Sequence, residues 1–344
     1  MTALPADTLP GLDLTALTGW LDAEHTGLRQ GELTGEVIAG GKSNLTYRVT
    51  DGTTTWALRR PPLAHVLPTA HDMIREYTVI SALAPTNVPV APAIALCTDV
   101  DVLGAPFYLM GYVDGVVFDK TEAVARLDPA GARRACEQLM DTLVALHAVE
   151  PDAIGLAEFG RPEGFLSRQV RRWHQQWDAS ETRPLEILDQ VVARLKDTVP
   201  QQSPPAIVHG DYRLTNVMYR PDLSGIAAVV DWEMATLGDP LTDVGLLVVY
   251  QNLSATDDFV MPRMNPGDGF LTAEQMVARY GAGAHRDLTH LDWYVGFGYF
   301  KLAVVAEGIH HRYLQGKTVG LGFDHFGAAV PGLLTAALHS LANR

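Results

Sequence analysis

His209, Asp211, Asn216 and Asp231 lie in the stretch IVHGDYRLTNVMYRPDLSGIAAVVDW, residues 207–232, with apolar runs at 206–208 and 226–230. The spacing is H-x-D-x-x-x-x-N, and the second Asp follows fifteen residues after the Asn. Phosphoryl transfer needs these residue types. One carboxylate accepts or orients the proton of an attacking hydroxyl; a second carboxylate and an amide oxygen hold magnesium on nucleotide phosphates. Asp211 suits the first role, and Asn216 and Asp231 suit the second. H-x-D alone is common, and an Asp before a loop is often only a turn former. The full pattern, closed by an apolar run that ends in Asp, is much rarer.

The elements around these residues have to position them. Residues 211–216 can form a tight loop that returns both side chains to one mouth. The runs 217–219 and 226–230 then read as a short hairpin placing Asp231 opposite Asn216. Upstream, the chain reads as a small sheet with one helix. A short amphipathic helix covers 12–21, with Leu14, Leu17 and Leu21 on its stripe. Strands follow at 37–38 and 45–49, and Asp51-Gly52 signals a hairpin to a strand at 53–59. The turn GGKSN at 40–44 looks like the end of a P-loop, but Glu36 stands where that motif needs Gly, and a β-like run follows instead of a helix. A hairpin whose glycines let backbone N–H groups approach phosphate fits better, with Ser43 and Asn44 as cofactor-binding candidates.

Arg59 ends the strand WALRR before two prolines. Strand alternation puts Arg59 with Ala57 on one face, and Arg60 with Trp56 and Leu58 on the other. Kinases carry a cation at such a place to neutralise the α- and β-phosphates, and Arg59 is the expected one. The next helix starts near Thr69, with Thr69 and Asp72 as a capping pair and Met73, Tyr77 and Ile80 as its stripe. Glu76 borders that stripe and can reach back to the strand cation. Strands at 88–94 and 106–113 complete the sheet. The second ends in Met110-Gly111-Tyr112, the place of a hinge whose backbone binds adenine, which makes Met110 and Tyr112 candidate contacts.

Downstream the chain reads as mainly helical, with helices at 132–149, 165–177, 186–195, 288–314 and 326–341. His147 has no metal-ligand partner at i+4 and reads as a packed structural histidine. Arg168, Arg171 and Arg172 form a solvated basic face. Asp239 and Asp243 suit caps, and Asp243 is placed to brace the catalytic loop by accepting backbone N–H bonds. Residues 252–269 read as a mobile loop able to act as a substrate lid.

Composition excludes several classes. The 344 residues are 47% hydrophobic and 19% charged, a globular balance. A formal net charge of −14 argues against a nucleic-acid or anionic-membrane partner. Two cysteines, no signal-peptide pattern and no long uncharged apolar run point to a cytoplasmic protein.

HGDYRLTN, VVDWE and LGDPLTDV together resemble the aminoglycoside phosphotransferase and choline kinase family. The segments GGKSNLTYRV, WALRRPP, IREYTVISAL and FYLMGYVDG are similar to the branch associated with acyl-CoA dehydrogenases. The likeness runs from about residue 35 to the end. It implies an α+β, two-lobed protein-kinase-like fold. A nucleotide-binding lobe would cover 1–111, and a mainly helical catalytic and substrate lobe 112–344. It implies ATP and Mg²⁺ as cofactors, Asp211 as base, Asn216 and Asp231 as metal ligands, and Arg59 with Glu76 in place of the usual Lys–Glu pair. The metal motif is Asp-Trp-Glu where protein kinases have Asp-Phe-Gly. The acceptor implied is a small-molecule hydroxyl, a hydroxyacyl-CoA or related alcohol first and an aminoglycoside second. A non-catalytic nucleotide- or CoA-binding protein is the other class, and the intact Asp211, Asn216 and Asp231 argue against it. The absence of an A-P-E segment argues against a protein kinase.

Overall fold

The computed structural model describes residues 9–38, 44–63, 72–254, 262–317 and 323–342. The chain forms two compact units, Met1–Gly115 with Ala227–Glu233, and Val116–Ile226 with Met234–Arg344.

The first unit is built on a five-stranded antiparallel sheet. Its elements in chain order are α1 (Leu14–Glu24), β1 (Thr34–Val37), β2 (Leu45–Thr50), β3 (Thr55–Arg60), α2 (Met73–Leu83), β4 (Ala93–Cys97), α3 (Val100–Leu103) and β5 (Phe107–Gly111), and the strand order is β1-β2-β3-β5-β4. The β2–β3 hairpin forms at Asp51-Gly52. Asp51 accepts from the N–H groups of Thr53 and Thr54, and Gly52 takes φ 86°, a left-handed angle that favours glycine. Strand alternation divides the sheet by chemistry. Tyr47, Val49, Trp56, Leu58, Phe107 and Leu109 point to one face and pack with Leu17 and Leu21 of α1. The opposite face carries the row Thr46–Arg59–Tyr108, which the register sets side by side.

Helix α2 differs from the expected reading. Asp72 is its N-cap, accepting from the Arg75 N–H at 3.0 Å, and Thr69 lies outside the described residues. The buried positions are Met73, Glu76, Val79, Ile80 and Leu83, so Glu76 is on the buried stripe itself and Tyr77 beside it. The strand expected at 88–94 begins at Ala93; Val90 makes only an isolated bridge, to Val229.

The second unit is mainly helical. It contains α4 (Thr121–Val124), α5 (Pro129–His147), α6 (Phe165–Asp178), α7 (Glu186–Asp197), β6 (Ala206–Val208), β7 (Val217–Tyr219), the first residue of β8 (Ile226–Val229), β9 (Thr236–Gly238), α8 (Leu241–Ser254), α9 (Ala273–Ala284), α10 (Leu291–Leu314) and α11 (Phe326–Ala342). Helix α10 is central and packs on α6, α7, α8 and α11. Gly245 sets the approach of α8 to α10, because a Cβ there would stand 2.5 Å from the Tyr294 backbone. Strands β6 and β9 pair antiparallel, Ala206 with Gly238 and Val208 with Thr236. That short ladder fixes where the chain leaves the core, at His209. No helix among the described residues is long and apolar enough to cross a membrane.

Candidate active site

In the second unit, Asp211 sits one residue past the turn that follows β6. Gly210 takes φ 86°, and a Cβ on it would meet Met234 at 2.8 Å. The turn therefore needs glycine on both counts. Asp243, in the first turn of α8, holds this turn from below. Its Oδ2 accepts the His209 N–H at 2.7 Å and its Oδ1 accepts the Gly210 N–H at 2.8 Å. The sequence reading of Asp243 as the brace of the loop matches this geometry. Behind it lies His147, fully enclosed, with Nε2 3.3 Å from Asp243 Oδ2 and Nδ1 2.8 Å from the Tyr280 hydroxyl. Burial pushes the His147 imidazole below its ordinary range against the pull of Asp243. Burial by itself raises the Asp243 carboxyl, but the hydrogen bonds it accepts from His147 and from the backbone N–H of His209 outweigh it and hold the group low. Both directions describe one state, a neutral imidazole donating from Nε2 to a carboxylate and accepting from Tyr280 at Nδ1.

Asp211 is held at both carboxylate oxygens. Tyr250 of α8 donates its hydroxyl to Oδ1. Asn216 Nδ2 donates to Oδ2 at 2.9 Å and to the Asp211 carbonyl at 2.8 Å, and Arg213 Nε lies 3.4 Å from Oδ2. The five-residue spacing works because a short 3-10 turn, Leu214–Asn216, folds Asn216 back over the loop. With its amide nitrogen turned to Asp211, Asn216 presents Oδ1 as its acceptor. Lys301, buried in α10, donates to the Gly210 carbonyl at 2.5 Å and lies 5.2 Å from the Trp173 ring. Burial pushes its ammonium below the usual lysine range, opposed by the charges of Asp211 and Asp243.

In the first unit, Arg59 gathers the other charges. Its Nη2 contacts Asp231 Oδ1 at 2.5 Å, and its Nε lies 2.8 Å from Glu76 Oε2. The Nε contact is an ion pair rather than a directed hydrogen bond, since Nε has no partner of hydrogen-bond geometry. Glu76 also accepts from the Tyr108 hydroxyl at 2.9 Å and from Asn44 Nδ2 at 3.0 Å. Asn44 Nδ2 lies 3.1 Å from Glu233 Oε2 as well. Burial pushes the Glu76 carboxyl up to about 7, with Arg59 and Tyr108 pulling the other way. Burial would lower the Arg59 guanidinium, but Glu76 and Asp231 more than offset it and hold it raised. Asp231 itself takes φ 69°, a left-handed conformation uncommon outside Gly, Asn and Asp, at a turn closed by the Trp232 indole N–H on the Val229 carbonyl.

The candidate residues thus fall into two sets, Arg59, Glu76, Asn44 and Asp231 in one unit and Asp211 with Asn216 in the other. Met110 shares the sheet face of Arg59 and Tyr108. The N–H groups of Gly111 and Tyr112 are taken by the carbonyls of Pro92 and Thr55, so a purine edge cannot use those two donors. Ser43 and its glycines lie outside the described residues, as does part of the proposed lid at 252–269. Arg168 of the basic helix face is turned to the carbonyls of Arg161 and Glu163. Sequence reasoning missed Tyr250, Arg213 and Lys301. The one available signal was Lys301, a cation set inside the apolar run 293–306 of a long helix.

A small antiparallel sheet bearing a buried Arg–Glu pair, followed by a helical unit bearing H-x-D-x-x-x-x-N, defines a kinase-like phosphotransferase. A family model described as "Phosphotransferase enzyme family" matches residues 34–292, and the chain belongs to that family. The chain is 30% identical over 325 residues to acyl-CoA dehydrogenase family member 11 of Homo sapiens, covering 91% of this chain and 41% of that protein. Curated relatives also include family member 10 of Mus musculus, and the chain spans 26% of that protein's length. Among solved structures, a candidate aminoglycoside phosphotransferase from Ralstonia eutropha superposes with a TM-score of 0.84 at 30% identity, over 96% of this chain and 98% of that one. Aminoglycoside phosphotransferase APH(4)-Ia, as a thermostable mutant in ternary complex with AMP-PNP and hygromycin B, shares the fold with a TM-score of 0.62 at 14% identity, over 96% of this chain and 100% of that one.

Proposed function

We propose that this chain is an ATP- and Mg²⁺-dependent kinase acting on a hydroxyl of a small molecule. The observation that carries the reading is Asp211, a carboxylate fixed on a braced loop by Asn216 and Tyr250. The acceptor oxygen attacks the γ-phosphorus, the bond to the β–γ bridging oxygen breaks, ADP leaves, and the hydroxyl proton passes to Asp211. The AMP-PNP complex of a protein with this fold supports a nucleotide as donor. Arg59, fixed by Glu76, supplies a guanidinium fork for phosphate oxygens, taking the place of the lysine more usual on this strand. Ser43, Asn44, Met110 and Tyr112, the last through its carbonyl because its N–H is taken by Thr55, complete the proposed nucleotide contacts.

Asp231 and Asn216 fit magnesium in donor type. Both offer hard oxygens, and this ion binds through one or two protein groups plus phosphates and waters. When bound it would neutralise charge on the phosphates. The identity to acyl-CoA dehydrogenase family members supports a hydroxyacyl-CoA or a related alcohol as acceptor. The Ralstonia eutropha structure favours a second reading, an aminoglycoside. Two buried free cysteines, Cys97 and Cys136, suit a reducing compartment, and we place the enzyme in the cytoplasm.

The test is ADP release over a panel of hydroxyacyl-CoAs, choline-like alcohols and aminoglycosides, run with wild type and Asp211→Asn. The variant should keep nucleotide affinity and lose about 10²–10⁴-fold in kcat, the range of a general base. Near-normal kcat in the variant would refute the assignment.

A further inference from the structure

Lys301 stands inside the apolar run 293–306 of α10, and its side chain reaches the turn that carries Asp211. It is 9% exposed, and burial lowers its basicity against the pull of Asp211 and Asp243. A methionine would fill the same space without taking an ammonium out of water, so packing does not call for lysine here. The turn gives a reason for it. Gly210 has φ 86°, and a glycine also leaves ψ open, so the peptide that follows it can turn over at little cost. That peptide joins Gly210 to Asp211. Its carbonyl accepts from Lys301 Nζ at 2.5 Å, and its N–H donates to His209 Nδ1 at 3.2 Å. The preceding N–H groups, of His209 and Gly210, are held separately by Asp243. Turned over, the Gly210–Asp211 peptide would aim its N–H at the ammonium and its carbonyl at the lone pair of His209 Nδ1. Both contacts would become repulsive.

We infer that Lys301 is a positioning residue for phosphoryl transfer, selecting the one orientation of the Gly210–Asp211 peptide that presents the Asp211 carboxylate to the acceptor hydroxyl. This rests on the reading of Asp211 as base. Turning the peptide over changes Gly210 ψ and Asp211 φ together, and so moves the Asp211 side chain with its backbone. A misplacement of about 1 Å at a reacting group costs about 10²-fold in rate. The carbonyl side of Asp211 is tied independently, by Asn216 Nδ2 at 2.8 Å. Asn216 thus fixes the backbone after the base, and Lys301 fixes the backbone before it. Trp173 of α6 helps to hold the ammonium in place, with its ring centre 5.2 Å from Nζ. Lys301 takes no proton in the reaction and acts only through the peptide it holds.

The experiment compares wild type, Lys301→Met, Lys301→Gln and Asp211→Asn. Amide hydrogen exchange is read residue by residue at His209, Gly210 and Asp211. ADP release from MgATP is measured over the panel of hydroxyacyl-CoAs, choline-like alcohols and aminoglycosides. Loss of one hydrogen bond from a charged group is worth about 10–100-fold. On that scale Lys301→Met should speed exchange at Asp211 and lower kcat, with KM for MgATP unchanged. His209 and Gly210, held by Asp243, should keep wild-type protection. Lys301→Gln keeps a donor on a shorter stem and should fall between Lys301→Met and wild type. A residue that only fills the core would loosen all three amides together, or leave all three and kcat unchanged; either result overturns the inference alone. Wild-type kcat in Lys301→Met, or in Lys301→Gln where the Met variant does not fold, also overturns it, as does failure of both variants to fold. Near-normal turnover in Asp211→Asn overturns the reading of Asp211 as base and this inference with it.

Discussion

Arg59 and Arg60 are consecutive on β3, and their side chains serve opposite faces of one sheet. Arg59 meets Glu76 and Asp231, while Arg60 is buried on the α1 side and donates to the carbonyls of Gly11 and Leu103. A one-residue slip in register would exchange the two.

Substitution should therefore separate the two arginines by kind of defect. Arg59→Ala should raise KM for ATP strongly, together with a fall in Tm from the Glu76 carboxyl it leaves buried without its cation. Arg59→Lys should fall between it and wild type, because ammonium keeps the charge and loses the fork. Arg60→Ala should leave KM for ATP nearly unchanged and cost about 1–3 kcal/mol of stability through two unpaired buried carbonyls. Strand alternation puts Arg60 on the face away from Arg59, which makes its loss mild for ATP kinetics; the carbonyl contacts add a structural role. Thermal unfolding alongside ATP kinetics decides the matter, and an Arg60→Ala protein with wild-type Tm would contradict it.

The two arginines also show what the sequence could convey. Alternation along WALRR and the spacing from Asp211 to Asn216 are local, so their geometry followed from residue types. Asp243 was legible as a brace from its place at a helix start; of its two expected uses the cap falls to Asp239, which accepts the Leu241 N–H, and the brace is the one Asp243 makes. Glu76 was read as a boundary residue, since a carboxylate on a buried stripe is improbable until its partners are known; those are Arg59, Tyr108 and Asn44, from three other segments. Tyr250 lies 39 residues from Asp211, inside an apolar helix where a tyrosine reads as core. Its role depends on how α8 packs against the loop, which no local pattern encodes. The same holds for Lys301 and Gly210, 91 residues apart.

Removing the Asp243 carboxylate should loosen the loop before anything else. Both of its oxygens accept backbone N–H bonds, and His147 makes a third contact. Asp243→Ala leaves these donors buried and unpaired, at a cost of about 3–5 kcal/mol. Asp243→Asn keeps one acceptor but turns an NH₂ toward a backbone N–H, so it should rescue only part. Hydrogen exchange at His209 and Gly210 should rise in both variants. Unchanged protection at those two amides would show that the loop does not depend on this brace.

Glu76 gives a pH-dependent signature. Its folded carboxyl is pushed up to about 7, above the ordinary value of 4.5. The folded state therefore holds the extra proton between those values, and the contribution of Glu76 to stability falls as pH climbs through that window. Glu76→Gln lacks this titration and can still accept from Tyr108. Measured without nucleotide, the Tm of Glu76→Gln relative to wild type should improve from pH 5 to about pH 7 and level off above it. A difference independent of pH would mean that the pairing with Arg59 cancels the burial of Glu76.

Asp231 combines a charge with an unusual backbone, and substitutions can separate the two. At φ 69° the residue is left-handed, a conformation Asn tolerates and Ala resists by about 1–2 kcal/mol. Asp231→Asn should keep the fold and remove the anionic oxygen, so affinity for MgATP should fall well below wild type. Affinity for ATP in EDTA should hold or improve, because Arg59 is released from its ion pair with Asp231 and becomes free for phosphate. Asp231→Ala should show the same metal-dependent loss together with a lower Tm. Asp231→Gly should lose metal-dependent binding without the added strain. Titrations of all three with MgATP and with ATP plus EDTA, next to their unfolding curves, distinguish the effects. Equal losses with and without metal would remove Asp231 from the magnesium site. Equal Tm values for the Ala and Asn variants would show that the left-handed turn stores no strain.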